Sequence, residues 1–378
     1  MHLVGLLPSD LAAELERRGV TCSEGDARRV LARVIAEGGP DPVPRHGARR
    51  PLVDGLKAHT TCERLTVLER VVDAADGSVR YLFQSPDGAL SEAVRIGLHR
   101  PGFYTVCLSS QVGCAMACAF CATGRLGFSR NLEAWEIVAA FLTVRDEARL
   151  PAAGTAADGN APGRCSSAVF MGQGEPFANY DAVIQAARVL ADPCGGRIAK
   201  ENITISTVGL VPQIRRYTAE RQPYKLIVSL TSAVPERRAA LLPVAGRTPL
   251  AELIDAIRDY AAVVKGRVTV AWVVLGGVNT GVDEVEALQE LLGDLPLRVN
   301  LIDVNDGRLA DAGGFSRATP GELKAFLDRL SVLNVPLVRR YSVGQSQDSA
   351  CGMLAATRRP PEAAGCTPTP EPACPPPA

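Results

Sequence analysis

The chain has 378 residues, 47% of them hydrophobic and 22% charged, and its 41 Lys+Arg balance its 41 Asp+Glu. That composition excludes a wholly disordered chain, and no apolar run approaches the roughly 20 uncharged residues of a membrane-spanning helix. A net charge of zero gives no global attraction to a polyanion, which weighs mildly against a nucleic-acid substrate unless basic side chains gather on one face.

Residues 1–10 lack the basic start and long apolar stretch of a secretion signal, so a cytoplasmic protein is expected. In a reducing compartment its 11 cysteines are metal ligands, reactive thiols or core residues more readily than disulfide partners. The four histidines, His2, His46, His59 and His99, all precede Pro101, so the rest of the chain cannot by itself supply a histidine ligand or a histidine base.

In chain order, apolar residues at helical spacing over 7–37 (Leu11, Leu15, Val20, Val30, Leu31, Val34, Ile35) predict a small helical accessory domain over 1–45, ending in the Gly- and Pro-rich stretch 38–44. Residues 46–100 read as a linker and a small β extension, with short β-rich segments at 65–74, 79–84 and 93–99 separated by Asp-Gly turns. From 101 to 356 apolar β-branched runs at 167–171, 203–206, 226–230, 268–275, 299–302 and 335–339 alternate with amphipathic helical patterns at 132–149, 180–190, 250–264, 282–292 and 320–333. Continuous apolar strands alternating with helices predict a parallel α/β sheet, either open or a partial barrel. Residues 151–164 and the Pro-rich tail from about 357 to 378 read as poorly ordered.

The segment from Gly113 to Gly124 spaces Cys114, Cys118 and Cys121 as C-x3-C-x2-C, with small residues between them. Three thiolates with no histidine near them suit a cubane 4Fe-4S cluster with one iron left open. Such an iron can chelate S-adenosylmethionine (SAM), and one electron through it cleaves the sulfonium to a 5′-deoxyadenosyl radical, chemistry that belongs to the cofactor. At the end of the 167–171 run, Gly172, Gly174 and Glu175 fit a ligand site at the carboxyl edge of an α/β sheet. Ser206, Ser229 and Thr231 end further strands on the same rim, where hydroxyls can bond a ligand. Cys22, Cys62, Cys165 and Cys194 read as structural.

The text around the cysteines narrows the reading. Thr105-Val106-Cys107-Leu108-Ser109-Ser110-Gln111-Val112-Gly113-Cys114, Gly127-Phe128-Ser129-Arg130-Asn131-Leu132, Met171-Gly172-Gln173-Gly174-Glu175-Pro176, Ile205-Ser206-Thr207-Val208-Gly209 and Ser349-Ala350-Cys351-Gly352 resemble the RlmN/Cfr family of radical SAM RNA (adenine-C) methyltransferases, over residues 65–354. The resemblance implies a radical SAM partial (β/α)6 barrel with a small N-terminal helical accessory domain. It implies a monomeric enzyme that methylates an adenosine ring carbon, C2 or C8, of rRNA or tRNA, with no membrane and with a flavodoxin or ferredoxin type electron donor.

It also assigns roles. Cys351 would carry a methyl group taken from SAM, Cys107 would resolve the covalent adduct by forming a disulfide, and Glu92 would be the base that removes the ring proton. Cys114, Cys118 and Cys121 would hold the cluster, and Gly174, Glu175, Ser206, Ser229, Leu230, Thr231 and Asn305 would bind SAM. The chain departs from the family at Thr231, where histidine is usual, and at Asp306-Gly307-Arg308, which replaces a Pro-rich stretch. These departures and the neutral charge leave two rivals: a related radical SAM enzyme that modifies a small molecule or peptide, and a non-enzymatic iron–sulfur carrier. Free thiols placed like Cys107 and Cys351 disfavour the carrier.

Overall fold

The computed structural model describes residues 1–37, 41, 43, 49–149, 163–305, 314–340 and 353. Cys351, nearly all of the segment expected to be loose at 151–164, and the 357–378 tail lie outside them, although Arg164 opens a strand. Among the described residues no helix is long and apolar enough to cross a membrane.

One ten-stranded sheet organises the chain. It begins with β1 (Thr66–Val72), β2 (Val79–Gln84), β3 (Leu90–Gly97) and β4 (Phe103–Leu108), each antiparallel to the one before. It continues through β7 (Arg164–Phe170), β8 (Ile203–Thr207), β9 (Lys225–Ser229), β10 (Val268–Val274), β11 (Leu297–Asp303) and β12 (Leu337–Arg340), all in parallel register from β4 onward. A separate two-stranded ribbon pairs β5 (Gln111–Gly113) with β6 (Phe128–Asn131).

After a one-turn helix α4 (Ala122–Arg125), the crossovers are helical: α5 (Ala134–Arg149), α6 (Tyr180–Ala191), α7 (Val211–Ala219), α8 (Pro235–Leu241) with α9 (Leu250–Val263), α10 (Val282–Leu292) and α11 (Pro320–Leu330). Repeated strand–helix units of this kind are the partial barrel that the alternation of apolar runs and amphipathic segments predicts. Boundaries follow local chemistry: Thr319 caps α11 by accepting the Glu322 N–H at 3.2 Å, and Pro320 occupies a first-turn position where no amide donor is needed.

At the N-terminus α1 (Pro8–Arg17) and α2 (Glu24–Leu31) form where the periodicity places them, and α3 (Arg50–His59) adds a helix inside the stretch read as linker. Leu11, Leu15, Val30 and Leu56 belong to the same continuous apolar cluster as Phe141 and Trp272, so these helices share the core of the sheet. His2 stacks on Trp135 of α5 with ring centroids 3.9 Å apart. Burial pushes the His2 imidazole down to about 4.

Candidate active site

The cysteine segment is built between β5 and β6. Gly113 has φ +73°, and a Cβ there would lie 2.0 Å from the Gly127 carbonyl oxygen, so only glycine lets the two ends of the loop meet. The Cys114 N–H closes that meeting on Gly127 O at 2.8 Å. Inside the loop the Cys121 N–H bonds Cys118 O at 3.1 Å, and the Ala119 N–H reaches Leu241 O at 3.0 Å at the end of α8. Cys118 packs with Leu241, Leu242, Leu275 and Val304, which seats the loop on the rim of the barrel.

Beside it stands the turn after β7. Gly174, at φ +94°, lies against Gln111, whose Cβ would be 2.5 Å from any added methyl. The Gln111 carboxamide accepts the Glu175 N–H at 2.8 Å and donates to Asn131 at 2.8 Å, tying the turn to the ribbon that frames the cysteines. Ser109 accepts the Gln173 N–H at 3.0 Å and donates to the Glu92 carbonyl at 2.6 Å.

These pieces enclose an open cavity of about 1090 Å³, its mouth included, at the carboxyl ends of β7 to β11. Of the residues singled out in the sequence, Cys114, Cys118, Cys121, Gly174, Glu175, Ser206, Ser229 and Asn305 all line it, with Met116, Phe120, Met171 and Val208 among the apolar wall. Leu230 and Thr231 fall behind the wall rather than in it: Leu230 is in the core, and Thr231 is wholly buried. At φ +60°, unusual for a β-branched residue, Thr231 turns its N–H onto Ala271 O at 3.2 Å, and its carbonyl accepts from Asn279 at 2.7 Å. Among the described residues its hydroxyl has no hydrogen-bond partner.

Electrostatics distinguish the cavity from an ordinary crevice. Burial pushes the Glu175 carboxyl up to about 7, opposed by N–H donation from Val208 and Phe177, each at 2.9 Å. Burial likewise pushes the Cys114 thiol up to about 11 and the Cys118 thiol further still, with the neighbouring cysteines adding to it. Thiols held so far from ionisation become thiolates only against a strong cationic centre. Among the described residues no three His, Cys, Asp or Glu side chains are drawn together tightly enough for a single ion. Three cysteines spaced around one cavity, with small residues between them and no histidine, instead fit the three corners of a cubane.

Glu92 and Cys107 stand one layer outside this wall. Arg80, Val94, Cys107 and Val169 occupy one row across β2, β3, β4 and β7. Cys107 packs with Val94 against Met171, which itself lines the cavity. Glu92 lies two residues from Val94 on the same face and is 2% exposed. Arg80 donates to Glu92 at 3.2 Å and to Glu69 at 3.3 Å. The sequence reading missed Arg80, Gln111, Asn279 and Arg238; Gln111 stands inside a quoted motif, and the other three carry no local signal.

No family model matches the chain. A probable RNA methyltransferase of Anaeromyxobacter sp. (strain Fw109-5) is 46% identical over 361 residues, 95% of this chain and 100% of that protein. A dual-specificity RNA methyltransferase RlmN of Anaeromyxobacter dehalogenans is 40% identical over 295 residues, 78% of this chain and 76% of that one. A crystal structure of a radical SAM methyltransferase from Sphaerobacter thermophilus superposes with a TM-score of 0.81 at 34% identity, covering 94% of this chain and 99% of that one. With cysteine loop, cavity and relatives in agreement, this chain belongs to the RlmN/Cfr family of radical SAM RNA methyltransferases.

Proposed function

We propose that this protein methylates a ring carbon of adenosine, C2 or C8, in rRNA or tRNA by a two-cysteine radical route. The observation that carries the reading is the adjacency of Cys107, through Met171, to a cavity lined by Cys114, Cys118, Cys121, Gly174, Glu175, Ser206, Ser229 and Asn305. Cys114, Cys118 and Cys121 would hold a 4Fe-4S cluster, which when bound supplies the electron that converts SAM to a 5′-deoxyadenosyl radical.

The chain's own residues do the rest. Glu175 would orient the amino group of SAM, Ser206 and Ser229 would offer hydroxyls to its carboxylate and ribose, and Asn305 would meet its adenine end. Cys351, outside the described residues, would accept a methyl group by displacement and present it for hydrogen abstraction. After the methylene radical bonds to the adenine carbon, the adduct would return one electron to the oxidised cluster and Glu92 would take the ring proton; the Cys107 thiolate would then attack the Cys351 sulfur, forming the disulfide as the sulfur–methylene bond breaks and the released carbon takes a proton to become the methyl group. A buried carboxylate beside a buried thiol on one sheet face suits a base and a resolving nucleophile that work at a single bound nucleotide.

The experiment is anaerobic reconstitution with iron and sulfide, then incubation with reductant, methyl-labelled SAM and ribosomal or transfer RNA, followed by nucleoside mass spectrometry. Labelled methyladenosine together with 5′-deoxyadenosine is expected, and the chromatographic position names the carbon. If 5′-deoxyadenosine forms while the RNA stays unlabelled, the substrate is a small molecule or peptide, the reading that the zero net charge favours. A flavodoxin or ferredoxin is the expected source of the electron.

A further inference from the structure

Arg238, near the end of α8, is 3% exposed, yet among the described residues no carboxylate pairs with it. Its guanidinium instead donates to three backbone carbonyls: Ser229 O at 3.0 Å, Leu230 O, and Val208 O at 2.6 Å. Those oxygens belong to the chain leaving β8 and β9, and Val208 and Ser229 line the cavity. Burying a full charge against dipoles alone is expensive, so a buried arginine without a counter-ion calls for a negative charge near by.

A cluster held on the cysteine loop would supply that charge. The Leu242 N–H bonds Arg238 O at 2.8 Å, and Leu242 packs directly against Cys118 together with Val208. Val208, whose carbonyl accepts from the guanidinium at 2.6 Å, packs in the same apolar cluster as Cys118. Arg237, one residue earlier, is satisfied by Asp283 at 2.9 Å and Glu284 at 2.6 Å, so the helix carries one arginine balanced by carboxylates and one that is not.

We propose that Arg238 is a positioning residue for the cavity: it clamps the exits of β8 and β9 in place, and its uncompensated positive charge offsets the thiolates of a cluster on Cys114, Cys118 and Cys121, holding the cluster's reduction potential up. The inference rests on the proposed function, because it needs the cluster to form. Cluster potentials respond to nearby charge and to hydrogen bonding around the sulfurs, so a fixed cation in a site of low dielectric acts on the reduced, more negative state most strongly.

The test compares wild type, Arg238→Met and Arg238→Lys after anaerobic reconstitution, by redox titration followed with electron paramagnetic resonance, with iron and sulfide content measured in parallel. Arg238→Met is expected to move the midpoint to more negative potential at unchanged iron content. Arg238→Lys is expected to keep the midpoint near that of wild type but to weaken SAM binding several-fold, because an ammonium cannot hold three carbonyls in the same plane. A purely structural role would alter stability and SAM affinity and leave the potential alone. Equal midpoints in all three proteins would overturn the proposal while leaving the proposed function standing. Should Arg238→Met not fold, Arg238→Lys decides: a midpoint shifted well below wild type at full iron content overturns the charge argument. A wild-type chain that takes up no cluster would overturn the proposed function and this inference together.

Discussion

The triad Glu69–Arg80–Glu92 offers the sharpest separation of stability from chemistry. Arg80 and Glu92 have side chains 7% and 1% exposed and meet at 3.2 Å, with Glu69 at 3.3 Å on the other guanidinium nitrogen. Replacing Arg80 with Met keeps the aliphatic stem but leaves Glu92 buried without this cation. Removing one partner of a buried pair costs about 3–5 kcal/mol, where a surface pair would cost about 1 kcal/mol or less. Urea denaturation of the unreconstituted protein at neutral pH should therefore show a large drop in midpoint for Arg80→Met. Adding Glu92→Gln removes the buried carboxylate charge that Arg80 faced, so the double variant is expected to be more stable than Arg80→Met alone. It should nevertheless make no product, because Glu92 is the proposed base. A loss below about 1 kcal/mol for Arg80→Met would refute the reasoning by showing that water reaches the pair. A double variant with wild-type turnover would refute the base.

Gly174→Ala should cost about 2–4 kcal/mol in thermal or chemical denaturation and abolish SAM binding, because φ is +94° and the new methyl would meet Gln111 at 2.5 Å; melting like wild type would refute the close approach. Since burial raises the Glu175 carboxyl to about 7, it is ionised above that pH and neutral below, so equilibrium dialysis should find SAM bound roughly tenfold more weakly at pH 6 than at pH 8. Glu175→Gln should flatten that profile, and a flat wild-type profile would count against the carboxylate as the amino-group partner. In the unliganded protein the same raised carboxyl makes the fold lose stability as pH rises from the ordinary carboxylate range to about 7. Cys107→Ala should accumulate a covalent protein–RNA adduct that nuclease trims on a denaturing gel; recovery of only free protein and free RNA would exclude Cys107 as the resolving thiol.

The parallel half of the fold is legible because strands covered on both faces, such as Val268–Val274, are written as unbroken apolar runs. The ribbon of β5 and β6 is not, since three- and four-residue strands carry no periodicity and are set by Gly113 and the approach of Gly127. Helix α8 is short, and α3 carries Pro51 in its first turn and Gly55 in its interior, so neither stands out from its surroundings in sequence. The cysteine spacing by itself points to the proposed cluster, and Gly174 with Glu175 points to the rim of the cavity that all of them line. Glu92 and Cys107, by contrast, are found only through resemblance, because their shared face depends on the pairing of β3 with β4. Arg237 and Arg238 read alike in sequence and differ entirely in space, one at the surface among carboxylates and one in the interior among carbonyls. Thr231 is the converse: a rim residue by strand counting that a left-handed turn carries behind the rim.

The order of strands across the large sheet is the order in which they occur along the chain, from β1 at one edge to β12 at the other. A chain emerging from the ribosome therefore completes each strand after its sheet neighbour has already been made, and no strand waits for a template still to be synthesised. The cysteines of the loop come early, whereas the Asn300 to Asn305 side of the cavity comes some 180 residues later. During synthesis the three cysteines are thus made while the sheet is half-built, and among the described residues the stretch from Asn300 to Asn305 is the last part of the cavity lining to be added.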